Sequence, residues 1–184
     1  MRTHEPHTWI HAVITLRGWW LPGDARGFRN REHRIHSSGN YKRRPPIGEH
    51  AGLRALNEIR STRIEPLTVS ERRAAGEAMI VKLSSLGSIA LAVACAPSHA
   101  HTLFSFDGDD AAPTLGKAKQ ASSHAVARRG GRMWAQGAGI DRVRDREHQL
   151  AIFGYIIAHA REGAWVWTFR DPHPSLRSAQ RRLR

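Results

Sequence analysis

The amino-acid sequence predicts an α+β fold, a ferredoxin-like two-layer sandwich with a central antiparallel sheet and an extra C-terminal helix. Three observations predict it. Strand-like and helix-like runs follow the order strand, helix, strand, strand, helix, strand, and then a further helix. Two strand-like runs, 88–96 and 99–106, are separated only by Pro97-Ser98, which makes an antiparallel hairpin at the centre. The chain has 184 residues, 40% of them hydrophobic, enough for one domain with a real core and much solvated surface.

Residues 9–16, Trp-Ile-His-Ala-Val-Ile-Thr-Leu, form the first strand, rich in β-branched side chains. Pro22-Gly23 marks a turn after it. From 25 to 46 the chain is basic and broken by Gly, Ser, Asn and Pro, with no periodic apolar face, and reads as a long loop or inserted arm. Leu53, Leu56 and Ile59 space a short helix. Thr68-Val69-Ser70-Glu71 has the pattern of a capping box. Ala75, Met79, Leu83 and Leu86 then recur at helical spacing up to Gly87, a C-terminal stop.

In 88–96, Ile89, Leu91, Val93 and Cys95 alternate onto one face. In 99–106, His99, His101 and Leu103 share one face, and Ala100, Thr102, Phe104 and Phe106 the other. After the acidic loop 107–113, Thr114 is the expected cap of a helix reaching about Arg129, with Lys117, His124 and Arg128 on a basic side and Gly130-Gly131 ending it. Residues 134–143 read as a short strand or extended segment. Asp145 caps the next helix, 146–162, ended by Gly163, with an expected core stripe of Leu150, Phe153, Ile157 and Ala160. Residues 165–169 alternate aromatics and read as the last strand, with Trp165 and Trp167 packing on one face. The tail, 175–184, is basic.

Charge narrows the partners. Lys and Arg number 29 against 16 Asp and Glu, a net charge of +13. Such a surplus points to a polyanion, most commonly nucleic acid. Arg26, Arg29, Lys42, Arg43, Arg44, Lys117, Lys119, Arg128 and Arg129 suit phosphate contacts that read no sequence. Trp19 and Trp20, before the turn, suit stacking on unpaired bases, worth about 1–3 kcal/mol per base. The single cysteine, Cys95, excludes an internal disulfide or thiolate cluster and reads as a core residue. The longest apolar run is too short to span a bilayer, and the N-terminus lacks a signal-peptide core, so no membrane partner and a cytoplasmic location are expected. Walker A, Rossmann and nucleophile-elbow patterns are absent.

Two short motifs carry the chemistry. In Pro97-Ser98-His99-Ala100-His101, the two imidazoles are two apart on a strand and share a face. In Tyr155-Ile156-Ile157-Ala158-His159, the phenol and imidazole are four apart on a helix and are surface neighbours. Brought together, three imidazoles suit one divalent cation with a tyrosine hydroxyl beside it. On a basic chain, that pattern suggests tyrosine attack on a metal-polarised nucleic-acid phosphate. The other tyrosine, Tyr41, lies in a solvated basic stretch, a poor place for a precisely held nucleophile. Each motif alone has a blander origin: among 12 histidines close pairs arise by chance, and an amphipathic helix often carries a half-exposed tyrosine.

With these blocks in order, over about 9–169, the chain resembles the single-tyrosine transposases with a His-hydrophobic-His motif, including the REP-associated tyrosine transposases. The blocks are Trp20-Leu21-Pro22-Gly23-Asp24-Ala25-Arg26-Gly27-Phe28, Pro97-Ser98-His99-Ala100-His101, and the stretch from Tyr155 to Trp167. The resemblance implies that Tyr155 attacks single-stranded DNA, forming a 5′-phosphotyrosine and freeing a 3′-hydroxyl that later rejoins strands. It implies that His99 and His101 bind Mg²⁺ or Mn²⁺, with His159 as third ligand, and that DNA hairpins are recognised next to the cut. The chain departs from the family at Ala100, where a bulky aliphatic residue is usual, and at His159, where an amide is usual. Three nitrogen ligands shift preference from Mg²⁺ toward Mn²⁺ or other transition ions. The expectation is a single transposase-like catalytic domain, 1–174, with a basic insert at about 25–65, acting as a monomer or homodimer. A nucleic-acid-binding module of the same fold without catalysis remains open at this point, as does a replication initiator or relaxase, disfavoured because no helicase-like or primase-like region is attached.

Overall fold

A computed structural model describes residues 8–21, 23–24, 46–60, 65–108, 110–126 and 132–173. Arg26, Arg29, Lys42, Arg43, Arg44, Arg128 and Arg129 lie outside the described residues, as do Pro22, Tyr41, most of the basic insert, the expected stop at Gly130-Gly131 and the tail. Two compact units separate, one drawn from Met1–Thr15 and Pro66–Arg184, the other from Leu16–Glu65.

The fold is α+β. The larger unit contains five strands: β1 (Thr8–Thr15), β2 (Ala90–Cys95), β3 (His99–Phe106), β4 (Gly139–Arg142) and β5 (Trp165–Thr168). They form one sheet in the order β4-β1-β3-β2-β5, every pairing antiparallel. The first four strands keep the order of a split βαβ pair, and β5 extends the sheet beyond β2. β1 and β3 pair along their full length, from Thr8 opposite Phe106 to Thr15 opposite His99. The β2–β3 register shifts between Ala90 and Ala92, a bulge that puts Leu91 and Ala92 together on one face.

In the larger unit the first helix is Val69–Ser85, capped as the sequence predicts. Thr68 Oγ1 accepts from the Glu71 amide, and the Glu71 carboxylate accepts from the Thr68 amide at 2.8 Å. Ala75, Met79, Ile80 and Leu83 form its buried stripe. The second helix, Ala112–Ala125, starts two residues before the expected cap at Thr114. Asp110 accepts from the Ala112 amide at 2.9 Å, and Pro113 falls in the first turn, where its missing N–H costs nothing. Numbering in chain order after the smaller unit's helix, α1 (Ala51–Arg60), these are α2 and α3, and the last is α4 (Arg146–Ala158).

The sheet is covered on both faces. Ile10, Ala12 and Ile14 of β1, with Val93, Cys95, Ala100, Thr102 and Phe104, are buried on the face over which α2 packs, with α3 beside it. On the opposite face Ile152 and Ile156 of α4 pack on Leu91, Ala92, Ala94 and Leu103. The two alanines keep the sheet surface low, so a helix seats closely. The predicted stripe of α4 is out of phase by about one residue: Leu150 is 53% and Ile157 38% exposed, whereas Gln149, Ile152 and Ile156 are buried. Apolar residues surround this helix, so spacing alone left its orientation free. Cys95 is fully buried, which pushes its thiol up to about 12 and keeps it neutral.

In the smaller unit α1 is helical where expected, but Leu56 and Ile59 are exposed. It carries an Arg54–Glu58 ion pair one turn apart at 2.8 Å. Gly23, at φ +93°, has no room for a side chain: a Cβ would lie 2.5 Å from the Arg54 amide nitrogen. Among the described residues, no helix is long and apolar enough to cross a membrane.

Candidate metal centre and tyrosine

The three motif histidines meet on the α4 face of the sheet. Alternation along β3 sends His99, His101 and Leu103 to that face. On α4, positions 152, 156 and 159 follow one another on the buried side, so the packing of Ile152 and Ile156 carries His159 inward. One ring nitrogen from each of His99, His101 and His159 lies within 4.8 Å of the other two, close enough to share a cation. His101 and His159 are 4% and 5% exposed, and His99 is half-buried.

Tyr155 precedes Ile156 and so stands at the rim of the same helix, 50% exposed. Its ring meets His159 edge-on at 4.7 Å between centroids and His101 edge-on at 5.2 Å. The phenol and the three imidazoles are neighbours within one chain.

At His159 the α-helix tightens into a 3-10 turn, His159–Glu162, ended by Gly163 at φ +78°. The backbone N–H at the cap bonds Ile156 three residues back. The Tyr155 carbonyl instead accepts the His159 Nδ1–H at 2.9 Å. The carbonyl can only accept, so in the neutral ring Nδ1 carries the proton and the lone pair sits on Nε2. Arg72 of α2 donates to the Gly163 carbonyl and secures the end of the turn.

The other two imidazoles have side-chain partners at Nδ1. His99 Nδ1 lies 3.1 Å from Ser98 Oγ. His101 Nδ1 lies 3.1 Å from Nε2 of His11 on β1. Burial first, then His159, His99 and His11, press the His101 imidazolium down to about 3. His11 is likewise lowered, chiefly by burial, with Asp141 acting in the opposite sense. Three imidazoles from one strand and one helix turn, two of them buried, thus form a set of nitrogen donors with anchored rings.

His11 was missing from the sequence reading. It stands across β1 from the histidine strand, opposite Leu103 and diagonal to His101, and only the β1–β3 pairing reveals it. Along β1 it shares a face with half-buried Trp9 and Val13, and nothing in that alternation singles it out.

The other candidate positions fall elsewhere. Trp19 and Trp20 lie in the smaller unit in the turn after β1, with Trp20 52% exposed. Lys117 is exposed on α3. Lys119 directs its ammonium to the carbonyls of Ala135 at 2.7 Å, Gly137 at 2.9 Å and Gln136 at 3.3 Å. Its three protons are therefore engaged inside the chain. It lies in a groove of about 450 Å³ that is also lined by Gln120, His124, Arg132 and Trp134.

No protein-family model matches the chain, and no curated protein matches it. Among solved structures it is similar to a REP-associated tyrosine transposase bound to a REP hairpin. The identity is 13% and the TM-score 0.47, over 89% of this chain and 73% of that one. A likeness so remote decides nothing about this chain's chemistry, which rests on the geometry above.

Proposed function

We propose that the chain is a metal-dependent DNA strand transferase that uses Tyr155 as nucleophile on single-stranded or hairpin DNA. One observation carries the reading: a half-exposed phenol lies edge-on against the two buried members of a three-histidine cluster in the same chain. A buried structural histidine needs hydrogen-bond partners, but three converging on one point suit a cation.

His99, His101 and His159 would hold the ion, Mn²⁺ in preference to Mg²⁺ because all three donors are nitrogen. Such an ion, when bound, polarises a phosphate and offsets its developing charge. Tyr155 supplies the attacking oxygen from the rim, where a strand can reach it. The phenolic oxygen bonds to phosphorus as the bond from phosphorus to the 3′ oxygen breaks. The phenol loses its proton and the departing oxygen gains one, leaving a 5′-phosphotyrosine and a 3′-hydroxyl. The reverse step, on the same or another 3′-hydroxyl, rejoins strands. The basic surplus, with exposed Lys117 and Trp20 among its candidate contacts, supports a nucleic-acid substrate.

A hairpin oligonucleotide labelled at its 3′ end, incubated with the protein and Mn²⁺, tests this. Wild type is expected to give a covalent adduct, and Tyr155→Phe to bind the same DNA with no adduct. An adduct from the Phe variant removes Tyr155 as nucleophile. Binding without adduct by wild type, with Mn²⁺ and with Mg²⁺, makes the chain a nucleic-acid-binding module.

A further inference from the structure

The contact between His11 and His101 has a geometry that assigns it a task. The two rings are nearly parallel, 14° apart, with centroids separated by 5.4 Å. The nitrogens His11 Nε2 and His101 Nδ1 are 3.1 Å apart. The two separations differ by about two imidazole ring radii, so both nitrogens lie on the line joining the centroids. The rings therefore sit edge to edge in almost one plane, in line for an N–H···N hydrogen bond rather than face to face.

Such a bond has two forms, with the shared proton on either nitrogen. Only one is compatible with a metal at the cluster. His101 can offer Nε2 to an ion as a neutral imidazole only if Nδ1 carries its proton. His101 Nδ1–H then donates to His11 Nε2, and His11 carries its own proton on Nδ1. Resting on the metal-centre reading above, we infer that His11 is a positioning residue, selecting the metal-binding tautomer of His101 and fixing its ring plane through an acceptor nitrogen on β1. It does so from a rigid place. β1 is an interior strand, paired to β3 on one side and to β4 on the other. Asp141 is its register partner on β4. His159 has an equivalent acceptor in the Tyr155 carbonyl, so two ligands are oriented by two different elements.

The test is titration of the purified full chain with MnCl₂ by calorimetry, alongside thermal unfolding. His11→Leu keeps bulk but removes the acceptor, and His11→Gln restores an acceptor oxygen at a similar reach. His11→Leu is expected to weaken Mn²⁺ binding about ten- to a hundredfold. His11→Gln is expected to recover most of that affinity, with both variants unfolding at similar temperatures. A His11→Leu variant that binds Mn²⁺ as wild type does overturns the inference and leaves the metal centre standing. Equal, deep loss in both variants also overturns it, because His11 would then be a ligand. Wild type that binds no Mn²⁺ overturns it together with the metal centre.

Discussion

His101 receives more of the site than any other side chain: His11 in line on one edge, His99 and His159 around it, and Tyr155 perpendicular to it. That crowding sets a pH signature for the metal-free protein. In the unfolded chain this histidine titrates near 6.5, whereas folding lowers it to about 3. Between those values the unfolded state binds a proton that the folded state refuses. The lowered His11 acts in the same direction. Stability is therefore full above about 6.5 and falls as pH drops toward 3, at up to about 1.4 kcal/mol per pH unit for each such proton. Denaturant unfolding in chelator at pH 7.5, 6.5 and 5.5 is expected to show declining stability. His101→Asn is expected to flatten the curve, and a wild-type curve that is level across this window contradicts the buried neutral imidazole. The motif histidines and Tyr155 were legible because strand and helix periodicities act over two and four residues. His11 was not, because its importance arises from a neighbour 90 positions away.

At the scale of elements, legibility followed how local the deciding pattern is. The stripe Ala75, Met79, Leu83 and the Thr68–Glu71 box placed α2 correctly, although Val69 and Val81 stand exposed on its outer side. α4 carries apolar residues nearly all round, and its orientation was decided by the low alanine surface of β2, which no local pattern reports. The seating of α2 over β5 was equally hidden. Gly76 lies against Trp165, where a Cβ would come within 2.1 Å of Cζ3 and 2.4 Å of Cε3. In an exposed helix, Gly→Ala gains about 1 kcal/mol. Here the added methyl must displace a tryptophan or the helix, an overpacking cost of about 1–3 kcal/mol. Gly76→Ala is thus expected to lower the unfolding temperature by several degrees, with Gly76→Ala in a Trp165→Leu background losing most of that penalty. A Gly76→Ala protein more stable than wild type refutes the close seating.

For the molecule as a whole, the +13 surplus makes salt the most direct probe of how the chain meets a polyanion. Each lysine or arginine that neutralises a phosphate releases counterions, so the logarithm of affinity falls linearly with that of salt, by about 0.7 per contact on single strands. Not every cation contributes. Arg54 and Arg73 already face Glu58 and Glu77 at 2.8 Å, and the Lys119 ammonium is turned toward three carbonyls. Burial, with the Arg132 charge nearby, lowers the Lys119 pKa, as expected for an ammonium partly withdrawn from solvent. Lys117, two residues away, is exposed. The pair separates surface charge from internal charge within a single helix. In hairpin binding between 50 and 300 mM KCl, Lys117→Gln is expected to make the salt slope shallower by about 0.7–0.9, according to whether loop or stem is contacted, while leaving thermal stability unchanged. Lys119→Met is expected to leave the slope in place and to lower thermal stability, because the 135–137 carbonyls lose their donor. If Lys119→Met instead reduces the slope as Lys117→Gln does, its ammonium leaves those carbonyls for phosphate, and the long basic chain engages DNA through residues that the free protein uses to hold itself together.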